Sequence, residues 1–205
     1  MRIITVSREF GSGGRELGRR LADALDIAYY DKEIIGKIAE NVKLDEGYID
    51  RVLERGYTQQ YPYTFRRSFY VPMNKANEYP NLMAEQAKII RSLSKEDCVI
   101  VGRGADVLLQ EHHPFNIFVY ADMETKMRRC RQRAPEGERL LEKELEQRIR
   151  NIDKARASNY ALIASKIWGD KHSYHLCVNT TGLEIPEIVP FVSGYAEDWF
   201  RANGK

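Results

Sequence analysis

The sequence predicts an α/β fold, a three-layer arrangement with a five-stranded parallel sheet. Three observations carry that expectation. Short β-branched or apolar runs alternate with amphipathic segments from one end of the chain to the other, the order that builds parallel sheets covered on both faces. The run CVIV at residues 98–101 is continuously apolar, as a strand buried on both faces must be. A glycine-rich turn, Gly11-Ser12-Gly13-Gly14, sits between the first strand-like run and the first helix-like run.

Taken in order, residues 2–6 (RIITV) read as a strand. Residues 15–25 read as a helix with Leu17, Leu21, Ala24 and Leu25 on one face. Residues 27–30 form a short strand ending at Asp31, and residues 32–40 return to helix. From 42 to about 80 the periodicity loosens. That stretch is rich in Tyr and Arg and holds Pro62, Pro72 and Pro80, which suits a partly helical lobe. Residues 82–93 are helical, with Met83, Ala87, Ile90 and Leu93 near helical spacing. The strand at 98–101 ends in Gly102-Arg103-Gly104, and a short helix follows at 105–110. Residues 115–120 (FNIFVY) are another strand, and Asp122 is a favoured N-cap for a helix running to about 133. Pro135-Glu136-Gly137 breaks that helix. A long helical segment spans 138–164, with Leu141, Leu145, Ile149 and Ile152 on one stripe. A last strand at 174–178 and a last helix at 185–200 complete the order.

Composition narrows the function. The chain has 205 residues with 32 Lys and Arg against 30 Asp and Glu, a net charge of +2, and 43% hydrophobic residues. That excludes a uniformly basic nucleic-acid coat and a disordered acidic chain. No apolar run approaches the ~18 residues of a membrane span, and the first residues lack a signal-peptide layout. Cys98, Cys130 and Cys177 are odd in number and widely spaced, which argues against a disulfide framework. A reducing, cytoplasmic setting is expected. The four histidines have no Cys-x-x-Cys companion, so a structural zinc site is not expected.

The glycine turn carries the chemistry. Ligands of parallel sheets bind at the carboxyl ends of the strands. A glycine loop there presents backbone N–H groups with the positive helix end behind them, a setting for phosphate. The segment from Ser7 is SREFGSGGREL. Laid on Gly-x-x-x-x-Gly-Lys-Ser/Thr, Arg8 stands at the first Gly, Gly13 at the second, Gly14 at the Lys and Arg15 at the Ser/Thr. Arg8, Gly11, Ser12, Gly13, Gly14, Arg15 and Glu16 are therefore the candidate phosphate loop. Arg8 or Arg15 is the candidate for the charge that lysine usually gives. A second cationic cluster, KMRRCRQR at 126–133, brings Arg129 and Arg133 to i, i+4 and Arg128 and Arg131 to i, i+3. Arg148, Arg150 and Arg156 follow on the next helix.

Four segments together, SREFGSGGRELGRRLADAL, YYDKEII, VIVGRGAD and YHLCVNTT, resemble the cytidylate kinase-like family of P-loop nucleoside monophosphate kinases. The resemblance covers about residues 1 to 195 and is weakest at about 43–80. It implies a P-loop domain over 1–205, with an inserted monophosphate-binding lobe at about 32–94 and an arginine-rich lid at about 131–157. It implies ATP and Mg²⁺ as cofactors and a nucleotide such as CMP or dCMP as the acceptor. It assigns acceptor contacts to Asp31, Arg103 and Asp153, catalytic contacts to Arg15, Arg131 and Arg156, and lid contacts to Arg128, Arg129 and Arg133. The chain departs from the family where Val101 and Gly104 replace the acids flanking the Gly-Arg of the third strand. Metal ligands are left open among Glu9, Glu16, Asp31 and Asp106. Tyr63, Tyr70 and Tyr79 are candidates to stack on a base, with Arg66 and Arg67 beside them. The expected partners are small-molecule nucleotides, with neither nucleic acid nor membrane, and a homo-oligomer stays open. A nucleotide-binding regulator of the same fold without catalysis is the alternative, motivated by the missing lysine and acids. An RNA-binding protein using the arginines is a further rival, opposed by the near-neutral charge.

Overall fold

The computed structural model describes residues 1–47, 49, 78–134 and 141–204. Strand β1 (Ile3–Arg8) lies at the centre of a five-stranded sheet with β2 (Ala28–Tyr30), β3 (Cys98–Val101), β4 (Phe115–Tyr120) and β5 (Leu176–Asn179). The order is β2-β3-β1-β4-β5 and every pairing is parallel. β1 runs two residues further than its sequence suggests. Ser7 and Arg8 pair with Phe118 and Val119 of β4, which keeps them extended although they are polar.

Residues of β1 alternate between two cores. Ile4 and Val6 face α1 (Gly14–Leu25) and the last helix, Ile185–Ala202, within a cluster holding Leu17, Leu21, Phe115 and Phe200. Ile3 faces the other side, where α2 (Glu33–Val42) and α3 (Glu78–Leu93) pack through Ile34, Ile38, Leu82 and Ile90. On α1 the buried stripe is Leu17, Leu21, Ala22 and Leu25; Ala24, expected on that face, is exposed. Its left-handed C-cap is Asp26, so the strand begins at Ala28 and not at Ile27.

After β3, α4 (Ala105–Leu108) and a 3₁₀ turn (Gln110–His112) replace the single short helix expected at 105–110. α5 (Met123–Gln132) is capped by Asp122, whose side chain accepts from Thr125 N at 2.8 Å. α6 (Glu142–Ala161) packs on α5 through Met127, Leu145 and Ile149, with Phe10 of the glycine turn against them. Leu141, expected on that stripe, is 70% exposed. β5 begins at Leu176, because Tyr174 is engaged in the preceding 3₁₀ turn. α7 is the last helix, Ile185–Ala202. The three cysteines are free thiols. Among the described residues no helix is long and apolar enough to cross a membrane. The lobe residues Tyr63, Arg66, Arg67 and Tyr70, and the turn at Pro135-Glu136-Gly137, lie outside the described residues.

Candidate active site

The carboxyl ends of β1 and β3 meet at one place, where the glycine turn and the Gly102-Arg103-Gly104 turn lie side by side. Gly102 N donates to Val6 O at 3.0 Å, which holds the two turns in register. Gly102, Arg103 and Gly104 all have left-handed backbones, with φ of 76°, 59° and 63°. A non-glycine residue rarely sits there, and such strain gathers at functional sites.

Arg8 fills the space between the turns. It is 8% exposed. Its guanidinium lies against Gly102, where an added Cβ would come within 1.6 Å of Nη1. Its own Cβ lies against Gly14, where an added Cβ would come within 2.5 Å. The two departures from the standard loop are therefore one: an arginine at the first glycine position leaves no room for a lysine at Gly14. Arg8 occupies the space that side chains at Gly14 and Gly102 would take.

Asp31, at the end of β2 and 4% exposed, joins the loop's two arginines. Its Oδ1 lies 3.8 Å from Arg8 Nη2 and its Oδ2 lies 2.5 Å from Arg15 Nε. Tyr29, beside it, has its phenol pushed up to about 12, mainly by burial and then by the Asp31 charge.

The rest of the loop is braced from α5 and α6. Lys126, 5% exposed, binds Asp153 Oδ2 at 2.8 Å and Glu9 Oε2 at 3.1 Å. Asp153 also accepts from Phe10 N at 2.6 Å. Arg129 reaches beneath the loop. Its Nη1 donates to Ser12 O at 3.0 Å and Thr180 Oγ1 at 2.8 Å, and its Nη2 donates to Thr180 O at 3.1 Å and Leu183 O at 2.7 Å. Burial holds its guanidinium below the usual arginine range. Ser12 is fully buried, with its hydroxyl donating to Glu9 O at 2.8 Å.

An open cleft lies beside the two turns. Arg8, Arg103 and Arg156 line it with Ser7, Gln86 and Tyr160, and Met83, Ile163 and Trp168 supply apolar wall. Arg156 Nη1 donates to Arg8 O at 3.2 Å and its guanidinium lies 5.6 Å from the Phe10 ring centre. Three guanidinium groups around one cleft suit an anion.

The structure thus brings Arg8, Arg15, Asp31, Arg103 and Arg156 together at the two turns. Asp153 binds Phe10 N and Lys126 and is not among the residues that line the cleft. Of the cluster at 126–133, Arg129 points inward and Arg133 binds Glu16 Oε2 at 2.6 Å, while Arg128 and Arg131 are exposed. The i, i+4 spacing of Arg129 and Arg133 therefore does not give them shared hydrogen-bond partners. Gln86 was not singled out from sequence, and Lys126 and Thr180 were named only within the basic cluster and the last strand, because the partners that define their roles lie far along the chain. Gln86 had one signal: it sits on the buried stripe of α3 with Leu82, Ile89, Ile90 and Leu93.

Each carboxylate named for metal is engaged. Asp31 holds Arg8 and Arg15, Glu9 holds Lys126, Glu16 holds Arg20 and Arg133, and Asp106 is buried against Tyr160. Among the described residues no group of three or more metal-ligating side chains is assembled. Among the described residues these carboxylates do not form a protein-built Mg²⁺ cage.

A parallel sheet with β1 central, a glycine turn at its end and arginines over the adjoining cleft is the architecture of a P-loop kinase. The chain belongs to the cytidylate kinase-like family, whose model matches residues 3–182. Among solved structures it is similar to an uncharacterized protein from Eubacterium ventriosum, with 23% identity, 96% of this chain and 99% of that one covered, and a TM-score of 0.67. It is similar to shikimate kinase from Bacteroides thetaiotaomicron, with 16% identity, coverage of 96% and 98%, and a TM-score of 0.57. Shikimate kinase from Aquifex aeolicus gives 17% identity, 99% of each chain and a TM-score of 0.52. These structures share the fold. No curated protein matches the chain significantly. Family and fold together support a kinase acting on a nucleotide or another small molecule.

Proposed function

We propose that the protein transfers the γ-phosphoryl group of ATP to a nucleoside monophosphate of the CMP or dCMP kind, or to another small anionic acceptor. The observation that carries this reading is Arg8, a buried cation cradled by Gly14 and Gly102 between the loop and a cleft that Arg103 and Arg156 also line. Phosphoryl transfer asks little covalent chemistry of a protein. It needs in-line positioning and fixed positive charge around the moving oxygens.

In this reading the loop from Arg8 to Glu16 holds the triphosphate, and the cleft holds the acceptor with Arg103 and Arg156 on its anion. Arg8 does the work of the absent lysine. Arg15 and Asp31 act as a pair, with Asp31 fixing Arg15 near the loop. The acceptor oxygen bonds to the γ-phosphorus as the bond to the β-phosphate oxygen breaks, and ADP leaves. Mg²⁺ would arrive on the triphosphate, since that ion is commonly held by phosphate oxygens and water with few protein ligands. The domain is a single unit over 1–205 in the cytoplasm, with a lobe at about 32–94 closing on the acceptor. A lid at about 131–157 carries Arg131 and Arg156 and excludes water.

The test is transfer itself. Full-length protein is incubated with γ-labelled ATP, Mg²⁺ and CMP, dCMP or shikimate, and the products are separated. Label on one of these acceptors is the expected result. Binding of ATP and acceptor with no label transferred is the outcome expected of a regulator, the reading favoured by the side-chain-free Gly14.

A further inference from the structure

Thr180, the residue after β5, is fully buried, so it touches neither ATP nor the acceptor. Its hydroxyl is turned to the glycine loop. Oγ1 lies 2.7 Å from Ser12 O, 2.8 Å from Arg129 Nη1 and 3.2 Å from Tyr120 O. A guanidinium can only donate, so Arg129 takes a lone pair of Thr180 Oγ1. The one hydroxyl proton then goes to a carbonyl, and Ser12 O is the nearer. Arg129 Nη1 donates to the same Ser12 O at 3.0 Å. Two buried donors converge on one carbonyl of the loop.

That carbonyl belongs to the peptide joining Ser12 to Gly13. The peptide is trans, so its C=O and N–H point in opposite directions. Drawing Ser12 O toward Thr180 and Arg129 turns the Gly13 N–H away from them. Gly13 has a φ of 86°, and a residue without Cβ adopts either sign of φ, so its own side chain does not oppose a flip of this peptide. A flip would set a carbonyl where the N–H stands. Next to it, α1 starts at Gly14 with no side-chain cap, and its first bond runs from Leu17 N to Gly13 O at 2.9 Å. The N–H groups of Gly14, Arg15 and Glu16 therefore have no helix partner. Among the described residues no acceptor serves them or Gly13 N. Successive N–H groups of this kind suit phosphate oxygens, and a carbonyl among them repels one.

We infer that Thr180 is a positioning residue for the donor phosphates: its hydroxyl fixes the Ser12–Gly13 peptide in the orientation that offers the Gly13 N–H to the triphosphate. This role presupposes that the loop is the triphosphate site, and it deepens that reading. It concerns the donor and not the acceptor, since neither Thr180 nor Ser12 lines the cleft.

The experiment is calorimetric titration of full-length wild type, Thr180→Val and Thr180→Ser with Mg²⁺-ATP and, separately, with CMP. Valine keeps the shape and loses the hydroxyl; serine keeps the hydroxyl and loses the methyl group. Circular dichroism confirms that each variant is folded. Thr180→Val is expected to bind ATP at least about tenfold more weakly, the scale of one hydrogen bond to a charged group, with CMP affinity unchanged. Thr180→Ser is expected to keep ATP affinity within about threefold of wild type. Unchanged ATP affinity in Thr180→Val, an equal fall in ATP and CMP affinity, or the same loss in Thr180→Ser overturns the inference and leaves the loop standing as the triphosphate site. If valine prevents folding, hydrogen exchange at the Gly13 amide of the wild type, followed by nuclear magnetic resonance, decides the matter. Mg²⁺-ATP is expected to slow that exchange, and exchange unaltered by bound ATP overturns the inference. If the wild-type protein binds no ATP, the reading of the loop has itself failed, and the role of Thr180 falls with it.

Discussion

Arg129 offers a sharp separation between a brace and a lid contact. Its side chain is 6% exposed and makes four hydrogen bonds, three of them to the carbonyls of Ser12, Thr180 and Leu183. Arg129→Met removes the charge and strands the buried carbonyls of Ser12 and Thr180, with Leu183 O at the edge. Hydrogen bonds to charged groups contribute about 1.5–3 kcal/mol each but do not add, since they share one side chain. Leaving a buried acceptor unmatched costs about 1–3 kcal/mol, so stranding several together is expected to cost about 3–5 kcal/mol. Domains of this kind have about 5–15 kcal/mol in total, so the loss is a large fraction. Urea denaturation followed by fluorescence of Trp168 and Trp199 reads it directly. With a slope of about 2 kcal/mol per molar urea, the midpoint falls by about 2 M. Arg129→Lys keeps a point charge but cannot span all four acceptors, so it should fall between. A midpoint shift below about 0.5 M in Arg129→Met, with turnover nonetheless abolished, would refute the bracing argument and return Arg129 to the lid.

Three other outcomes follow from the same geometry. Lys126→Met leaves Glu9 and Asp153 facing each other without their cation, and should cost about 3–5 kcal/mol in the same denaturation assay. Gly102→Ala should displace the Arg8 guanidinium and force a strained left-handed alanine, costing at least about 1–3 kcal/mol and weakening acceptor binding in calorimetry. Burial raises the Asp106 carboxyl above the ordinary carboxylate range, against the opposing Tyr160 hydrogen bond and the Lys166 charge. The folded state therefore holds that proton more tightly than the unfolded one, and stability falls as pH rises from the ordinary carboxylate value through the raised one. Denaturation midpoints of wild type minus Asp106→Asn, measured across that window, should decline with pH; a flat difference would contradict it.

Much of the fold was legible because strands and helices differ in period. The run CVIV is buried at every position, and Asp122 caps its helix as its type suggests. The glycine turn was legible too, since it joins a strand to a helix. What the sequence could not disclose was direction. Arg128, Arg129, Arg131 and Arg133 look alike in one dimension, yet Arg129 turns inward because Thr180 and Leu183, more than fifty positions away, supply carbonyls for it. Asp106 reads as an available acid until Tyr160 closes on it. The sequence left open whether Arg8 or Arg15 stands in for the lysine missing at Gly14; only the contact between Gly14 and Arg8 couples that glycine to the arginine beside it. Long-range pairing of this kind has no local signature.

The central claim is that Arg8 supplies the charge an ordinary phosphate loop takes from lysine. Single-turnover transfer from γ-labelled ATP, comparing wild type with Arg8→Met, tests it most directly. The methionine keeps an unbranched apolar stem between Gly14 and Gly102. The account predicts a transfer rate lower by roughly a hundredfold or more, the scale for losing one fixed electrostatic contact to the transition state, in a variant that still folds and binds ATP. A variant that transfers the label within about threefold of the wild-type rate, a difference well under the ~1.4 kcal/mol that a factor of ten represents, would contradict it.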